Sequence, residues 1–86
     1  MINIIENYIT RLTKEDVNKF AINKNINLSE SELDFTYNFI KRNYKNFFSN
    51  PNFFDIERYK NNYTKENFSK ITKVYQEYMI KYANYL

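Results

Sequence analysis

The stretch Leu28-Ser29-Glu30-Ser31-Glu32-Leu33 decides how this chain folds. Ser29 and Glu32 have the spacing of a capping box, in which each side chain accepts a hydrogen bond from the backbone N–H of the other residue. Leu28 and Leu33 occupy the two positions of a hydrophobic staple, which fixes the direction in which the chain enters a helix. The stretch therefore predicts a helix that begins at Glu30.

The helix that begins at Glu30 is predicted to continue to about Phe48. Its apolar side chains recur at alternating steps of four and three residues, which is the spacing of one helix face. This stripe consists of Leu33, Tyr37, Ile40, Tyr44 and Phe47. Phe35 and Phe39 lie on a second flank, so apolar side chains cover more than half of the circumference. A helix of this kind is expected in the middle of a small domain.

Two shorter helices are predicted upstream, over residues 2–11 and 14–24. Thr13 is the predicted N-cap of the second one, because it precedes acidic residues that the helix dipole favours in a first turn. We expect Val17, Phe20 and Ala21 to be buried on that helix. Asn25 is expected in the left-handed conformation that ends many helices, since the chain contains no glycine for that position.

Pro51 ends the long helix, because proline lacks a backbone N–H and disfavours helical geometry in the residue before it. The pattern then predicts a short helix over 53–62 and a longer one over 65–85, capped by Thr64. The last helix carries an apolar stripe at steps of three and four residues: Phe68, Ile71, Tyr75, Tyr78, Tyr82 and Tyr85.

The predicted fold is all-α, a single domain over 1–86 built as a compact bundle of four to five helices. The two longer helices, about 30–48 and 65–85, carry apolar stripes that suit a long partner helix at a shallow crossing angle. We expect these two helices to pack antiparallel, with the other helices docked on them.

The composition argues against catalysis. The chain of 86 residues contains no histidine, cysteine or glycine. Without histidine and cysteine it lacks the usual nucleophile–base pairs and zinc ligands. Without glycine it cannot form the loops that cradle phosphate groups. We therefore predict no enzymatic activity, no cofactor, no metal and no small-molecule ligand. The abundance of asparagine, lysine and tyrosine is also what A/T-rich codons produce.

Several stretches together resemble one bacterial family: Leu12–Asp16 (LTKED), Ile26–Glu30 (INLSE), Phe39–Phe48 (FIKRNYKNFF) and Tyr63–Asn67 (YTKEN). On these residues the chain resembles the YqfT-like family of small uncharacterised proteins from low-GC Gram-positive bacteria, over roughly residues 8–80. The resemblance implies a bacterial cytoplasmic helical domain. It assigns no activity and no functional residues.

Protein association is the function that the aromatic content favours. Phe and Tyr make up 20% of the chain, which is more than a core of this size readily buries. We predict a cytoplasmic protein-interaction module that binds a protein partner, with self-association as one form of this function. The predicted interface residues lie on the flank of the long helix and at the end of the last one: Phe35, Phe39, Tyr78, Met79, Tyr82 and Tyr85.

The alternative function is weak, non-specific binding of nucleic acid through Lys41, Arg42 and Lys45. The net charge of +3 permits it, but ten acidic residues dilute the thirteen basic ones. Membrane insertion is not expected, because no stretch approaches the roughly 18 apolar residues that a membrane span needs. The polar Asn3 and Glu6 also interrupt any apolar export signal near the start, so we expect a cytoplasmic location.

Overall fold

The computed structural model of the chain describes residues 2–49 and 54–83. Over these residues the protein consists of five helices and no strand, which confirms the predicted all-α bundle. Four of them are α-helices: α1 (Ile2–Arg11), α2 (Lys14–Asn23), α3 (Glu30–Ser49) and α4 (Lys65–Ala83). The fifth is a 3₁₀ helix (Ile56–Asn62) between α3 and α4.

The predicted starts of the four α-helices are confirmed, and two of them are reciprocal capping boxes. At α3, the Ser29 N–H donates to Glu32 Oε1 over 2.8 Å and the Glu32 N–H donates to Ser29 Oγ over 3.2 Å. At α2, Thr13 and Asp16 exchange the same pair of bonds. Those bonds to Thr13 hold the pKa of the Asp16 carboxyl below its ordinary value. Local sequence therefore determines where both helices begin.

The end of α2 is a Schellman motif centred on Asn25. Asn25 has a φ of 64°, in the left-handed region, as predicted. Its N–H donates to the Ile22 carbonyl over 2.9 Å, and the Ile26 N–H donates to the Ala21 carbonyl over 2.8 Å. The motif turns the chain sharply, so that Ile26 enters the core.

The segment predicted as a helix over 53–62 is wound as a 3₁₀ helix that begins at Ile56; residues 50–53 lie outside the described part of the chain. The Asp55 carboxylate accepts a hydrogen bond from the Glu57 N–H, and the Asp55 carbonyl accepts one from the Arg58 N–H. The bond from Arg58 to Asp55 joins residues three positions apart, which is the hydrogen-bond spacing of a 3₁₀ helix.

The first helix runs antiparallel to α3. Lys45 of α3 forms an ion pair of 3.6 Å with Glu6, and Lys41, one turn earlier, donates to the Thr10 carbonyl over 3.0 Å. The chain then reaches the first turn of α3, where Lys14 pairs with Asp34 over 2.6 Å. As the chain advances from α1 to the start of α2, its contacts on α3 therefore move from the C-terminal half of α3 towards its N-terminus.

The predicted antiparallel direction of the two long helices is wrong. At their starts, Glu32 of α3 contacts Asn67 of α4. Farther along both helices, the rings of Phe47 and Tyr75 lie 6.2 Å apart. Because the contacts advance towards the C-terminus on both helices, α3 and α4 follow the same direction.

The connection between α3 and α4 explains this direction. Phe54 packs on Phe47, Tyr59 packs on Phe39, and Tyr63 packs on Phe35. The chain from Phe54 to Tyr63 therefore runs back along α3 towards its start, so α4 begins beside the beginning of α3. This return segment fills the flank of Phe35 and Phe39.

The buried core is small and lies where α1, α2 and the turn after α2 meet. Its apolar members among the described residues are Leu12, Val17, Ala21 and Ile26. Phe20 was predicted to be buried with them, but its side chain is 46% exposed. The apolar stripe of α3 is half-buried, and one of its residues, Ile40, lines a cavity.

Candidate functional site

The predicted interface residues Phe35 and Phe39 lie inside the chain's own aromatic cluster. Their ring centroids are 6.0 Å apart, and Phe39 is 4.7 Å from Tyr59 in an edge-to-face arrangement. Phe54, Phe47 and Tyr75 continue the cluster towards α4. Both predicted residues are half-buried, so their rings are largely occupied by contacts within the molecule.

The other predicted interface residues lie on the C-terminal half of α4. Tyr78 is half-buried, and its ring lies 6.1 Å from Phe20 of α2. Lys24 Nζ stands 5.7 Å from the Tyr78 ring, within cation–π distance. Met79 is half-buried as well. The Tyr82 side chain and Tyr85 lie outside the described part of the structure.

The three residues predicted as a nucleic-acid face do lie together. Lys41, Arg42 and Lys45 line one surface depression of about 360 Å³, with Tyr44 among its other walls. Two of the three cations already have partners within the chain, because Lys41 donates to a carbonyl of α1 and Lys45 pairs with Glu6. Arg42 is exposed.

An apolar cavity of about 500 Å³ lies between the four α-helices in the described part of the chain. Its walls come from every α-helix, from the turn after α2 and from Tyr63, and they include Leu12, Val17, Ile26, Ile40, Ile71 and Val74. A volume of this size lies within the range of small-molecule binding sites, about 300–1,000 Å³. The sequence did not predict this cavity, because it arises from four helices whose stripes do not fully interdigitate.

Thr36 and Tyr63 both line the cavity, and their hydroxyl groups form a hydrogen-bonded pair. Their oxygens are 2.6 Å apart, and Thr36 Oγ1 also lies 2.8 Å from the Glu32 carbonyl oxygen. A carbonyl has no proton, so the Thr36 hydroxyl must donate to Glu32. The Tyr63 hydroxyl then donates to Thr36. Burial raises the pKa of Tyr63, and its hydrogen bond with Thr36 acts in the opposite direction.

A buried carboxylate holds this part of the site in place. Glu32 is 3% exposed, and its Oε2 accepts a hydrogen bond of 2.8 Å from the Thr64 N–H, the residue next to Tyr63. Its Oε1 accepts from the Ser29 N–H and from Asn67 Nδ2, each over 2.8 Å. One carboxylate thus joins the start of α3 to the start of α4.

Glu32 remains ionised in spite of its burial. Burial raises the pKa of its carboxyl, but the hydrogen bonds from Ser29, Thr64 and Asn67 outweigh that effect and hold the pKa below its ordinary value. The carboxylate also lies at the N-terminal ends of two helices, whose dipoles favour a negative charge. Asn67 is fixed in turn, since its Nδ2 also donates to the Asn27 carbonyl over 2.8 Å.

Large apolar side chains that reasoning from the sequence had not assigned to an interface lie at the edge of the cavity. Tyr8 and Phe20 line the cavity and are 65% and 46% exposed. Ile4, one turn before Tyr8 on α1, is 74% exposed. We call Ile4, Tyr8 and Phe20 the apolar edge. The spacing of Ile4 and Tyr8, four residues apart on one helix face, was a signal in the sequence that could have pointed to them.

Metal binding finds no support in the described residues, which include no group of three or more Asp or Glu side chains placed to hold an ion. No helix in that part of the chain is long and apolar enough to cross a membrane.

The fold and the site define a small all-α bundle with an apolar cavity bordered by exposed aromatic side chains. No protein-family model, no curated protein and no solved structure matches the chain. The resemblance to the YqfT-like family therefore stays a prediction.

Proposed function

We propose that this protein is a non-catalytic interaction module that self-associates through the apolar edge, Ile4, Tyr8 and Phe20. The exposure of these three large side chains, of which Tyr8 and Phe20 line the cavity, is the observation that carries the proposal. Ile4 and Tyr8 share one face of α1, because residues four apart are neighbours on a helix. Phe20 borders the same cavity as Tyr8, so the three side chains form one surface. A clustered apolar surface on a small domain is typical of an association site.

A second copy of the chain suits this surface because the charges of α1 and α2 are largely matched within the molecule. Glu6 pairs with Lys45, Lys14 pairs with Asp34, and Lys19 pairs with Glu15. Two copies can therefore bring their apolar edges together with little repulsion. The resulting two-fold contact is isologous, with each copy contributing the same residues. We keep the cytoplasmic location that the sequence predicts.

The experiment is sedimentation equilibrium from low to high micromolar protein. We expect the mean mass to rise above the monomer value of 10.6 kDa as concentration increases. Tyr8→Ser and Phe20→Ser should each reduce this rise, and circular dichroism checks that both variants remain helical. Because the interface is apolar, raising the salt concentration should change the association little.

The matched control is Ile22→Ser. Ile22 is 57% exposed on α2 and does not line the cavity. It should associate like the wild type. A mass of one chain at every concentration would contradict self-association, and an equal loss in Ile22→Ser and Tyr8→Ser would contradict the assignment to the apolar edge.

The second candidate is the nucleic-acid face, and the observation in its favour is that Lys41, Arg42 and Lys45 border one depression beside Tyr44. Basic side chains beside an aromatic ring are typical of single-strand binding. This candidate predicts binding of a labelled oligonucleotide at low salt, a steep loss of affinity at physiological salt and a further loss in Arg42→Ala. No binding at low salt would exclude it.

A further inference from the structure

The interior of the cavity has the features of a ligand site that the apolar edge does not use. It has a volume of about 500 Å³, is partly open to solvent, and most of its walls are aliphatic or aromatic. An apolar molecule that enters it removes its own apolar surface and that of the walls from water. The cavity therefore favours an apolar ligand.

The ligand should carry no charge. Asp16 is the only ionic side chain among the described lining residues, and one of its oxygens accepts a hydrogen bond of 3.0 Å from the Thr13 N–H. That oxygen is engaged in the capping box of α2. The remaining walls provide no opposite charge to compensate for the burial of an ion.

The hydroxyl pair of Thr36 and Tyr63 determines whether the ligand must donate or accept a hydrogen bond. Thr36 donates to the Glu32 carbonyl, and Tyr63 donates to Thr36, so both protons are committed. The Tyr63 oxygen keeps a lone pair and can only accept a further hydrogen bond. A ligand that reaches this end of the cavity must therefore supply the proton.

We propose that the cavity binds a small, uncharged, apolar molecule with one hydrogen-bond donor, such as an aromatic N–H or O–H, and that this donor bonds to the Tyr63 hydroxyl. The occupant lies in the interior, between Leu12, Ile40 and Ile71, beneath the apolar edge. This binding goes beyond the proposed self-association and does not depend on it.

Indole and N-methylindole are the probes that test the proposal. They have the same ring system, but only indole has an N–H donor. The chain contains no tryptophan, so the fluorescence of either probe can be excited at the red edge of its absorption, where the nine tyrosines contribute little. Entry into an apolar cavity should shift the emission to shorter wavelength and saturate with protein. We expect indole to bind about five- to tenfold more tightly, the difference that one hydrogen bond makes.

Two variants connect that preference to the hydroxyl pair. Tyr63→Phe removes the acceptor and should make the two probes bind equally. Thr36→Val removes the group that accepts the Tyr63 proton, so the Tyr63 hydroxyl is no longer held in one orientation as an acceptor and the preference for indole should shrink. Thr36→Val also serves if Tyr63→Phe does not fold. Tyr59→Phe is the matched control, because Tyr59 packs in the aromatic cluster and does not line the cavity; it should bind like the wild type.

Each outcome decides a separate claim. Saturable binding of indole with a preference lost in Tyr63→Phe supports the proposal. Equal binding of both probes to the wild type would overturn the role of Tyr63, and failure of both probes to bind would overturn the ligand site itself. Since the probes are read in dilute, monomeric protein, none of these outcomes depends on whether the chain self-associates.

Discussion

Asn67 Nδ2 and the Glu32 carboxylate lie 35 residues apart in the sequence and are joined by a buried hydrogen bond of 2.8 Å. Glu32 is the third residue of α3, where it completes the capping box of its own helix with Ser29. Asn67 is the third residue of α4, and a capping box there would require its side chain to accept from the Thr64 N–H. Glu32 accepts from Thr64 instead, so one side chain caps two helices.

Because two helix starts share this carboxylate, its removal should destabilise the whole fold. We expect Glu32→Ala to lower the free energy of unfolding by about 2–4 kcal/mol, since the partly buried N–H groups of Ser29 and Thr64 and the buried amide of Asn67 all lose this charged acceptor. Glu32→Gln should lower it less, because the amide oxygen still accepts. Urea unfolding measures both changes. Glu30→Ala is the control: Glu30 is exposed, and its loss should alter the free energy by about 0.5 kcal/mol or less.

The shared carboxylate should also make stability depend on pH. The folded chain holds the pKa of Glu32 below the ordinary value of 4.5, whereas the unfolded chain takes up its proton near that value. The contribution of Glu32 is therefore complete above pH 4.5 and decreases as the pH falls through the folded pKa. Urea unfolding at a series of pH values should show a less steep acid decline in Glu32→Gln than in the wild type. Parallel declines in the two proteins would show that other carboxylates cause the effect.

We expect the stability that an isoleucine contributes to depend on how far it is buried. Ile26 is 4% exposed and Ile22 is 57% exposed, although both lie in or just after α2. We expect Ile26→Ala to lower the free energy of unfolding by about 2–4 kcal/mol, because it removes buried methyl groups and leaves a void. Ile22→Ala should change it by about 0.5 kcal/mol or less. Thermal melts of the two variants, compared with the wild type, measure the contrast; equal losses would contradict the placement of Ile26.

Substitution of Thr72 by valine should stabilise the protein. Its Oγ1 is buried and has no hydrogen-bond partner among the described residues. Thr72→Val replaces that hydroxyl with a methyl group of similar size, and we expect it to raise the free energy of unfolding by about 1 kcal/mol. Thr72→Ser keeps the hydroxyl and loses a methyl group, so it should be destabilising. The prediction fails if the valine variant melts below the wild type.

Asn25 has a positive φ, which a residue with a β-carbon adopts at a cost unless its side chain compensates. Asn25→Ala should therefore lower the free energy of unfolding by about 1 kcal/mol. Asn25→Gly should be close to neutral, because glycine adopts this conformation freely but loses more entropy on folding. Denaturant unfolding of the two variants tests the difference, and a stable alanine variant would count against the Schellman motif.

Local sequence patterns predicted the helices because each start and stop depends on residues close together in the chain. Ser29 with Glu32 predicted the beginning of α3, and Asn25 predicted the end of α2; both are bonded as expected. The segment 53–62 was predicted as a short helix of unspecified type, because apolar spacing alone does not distinguish an α-helix from a 3₁₀ helix. Phe20 was predicted to be buried, because the pattern shows a helix face but not how far the neighbours cover it.

The sequence by itself determined that this protein is a bundle of helices, where most of those helices begin and end, and which faces are apolar, since hydrogen bonds over three to five residues and helical spacing govern these features. Only the tertiary structure decided that α3 and α4 run in the same direction, that Glu32 caps both of them, and that an apolar cavity lies between the four α-helices. These features arise from contacts between residues about 30 or more positions apart. Such contacts depend on the path of the return segment between α3 and α4, and short-range periodicity carries no information about that path.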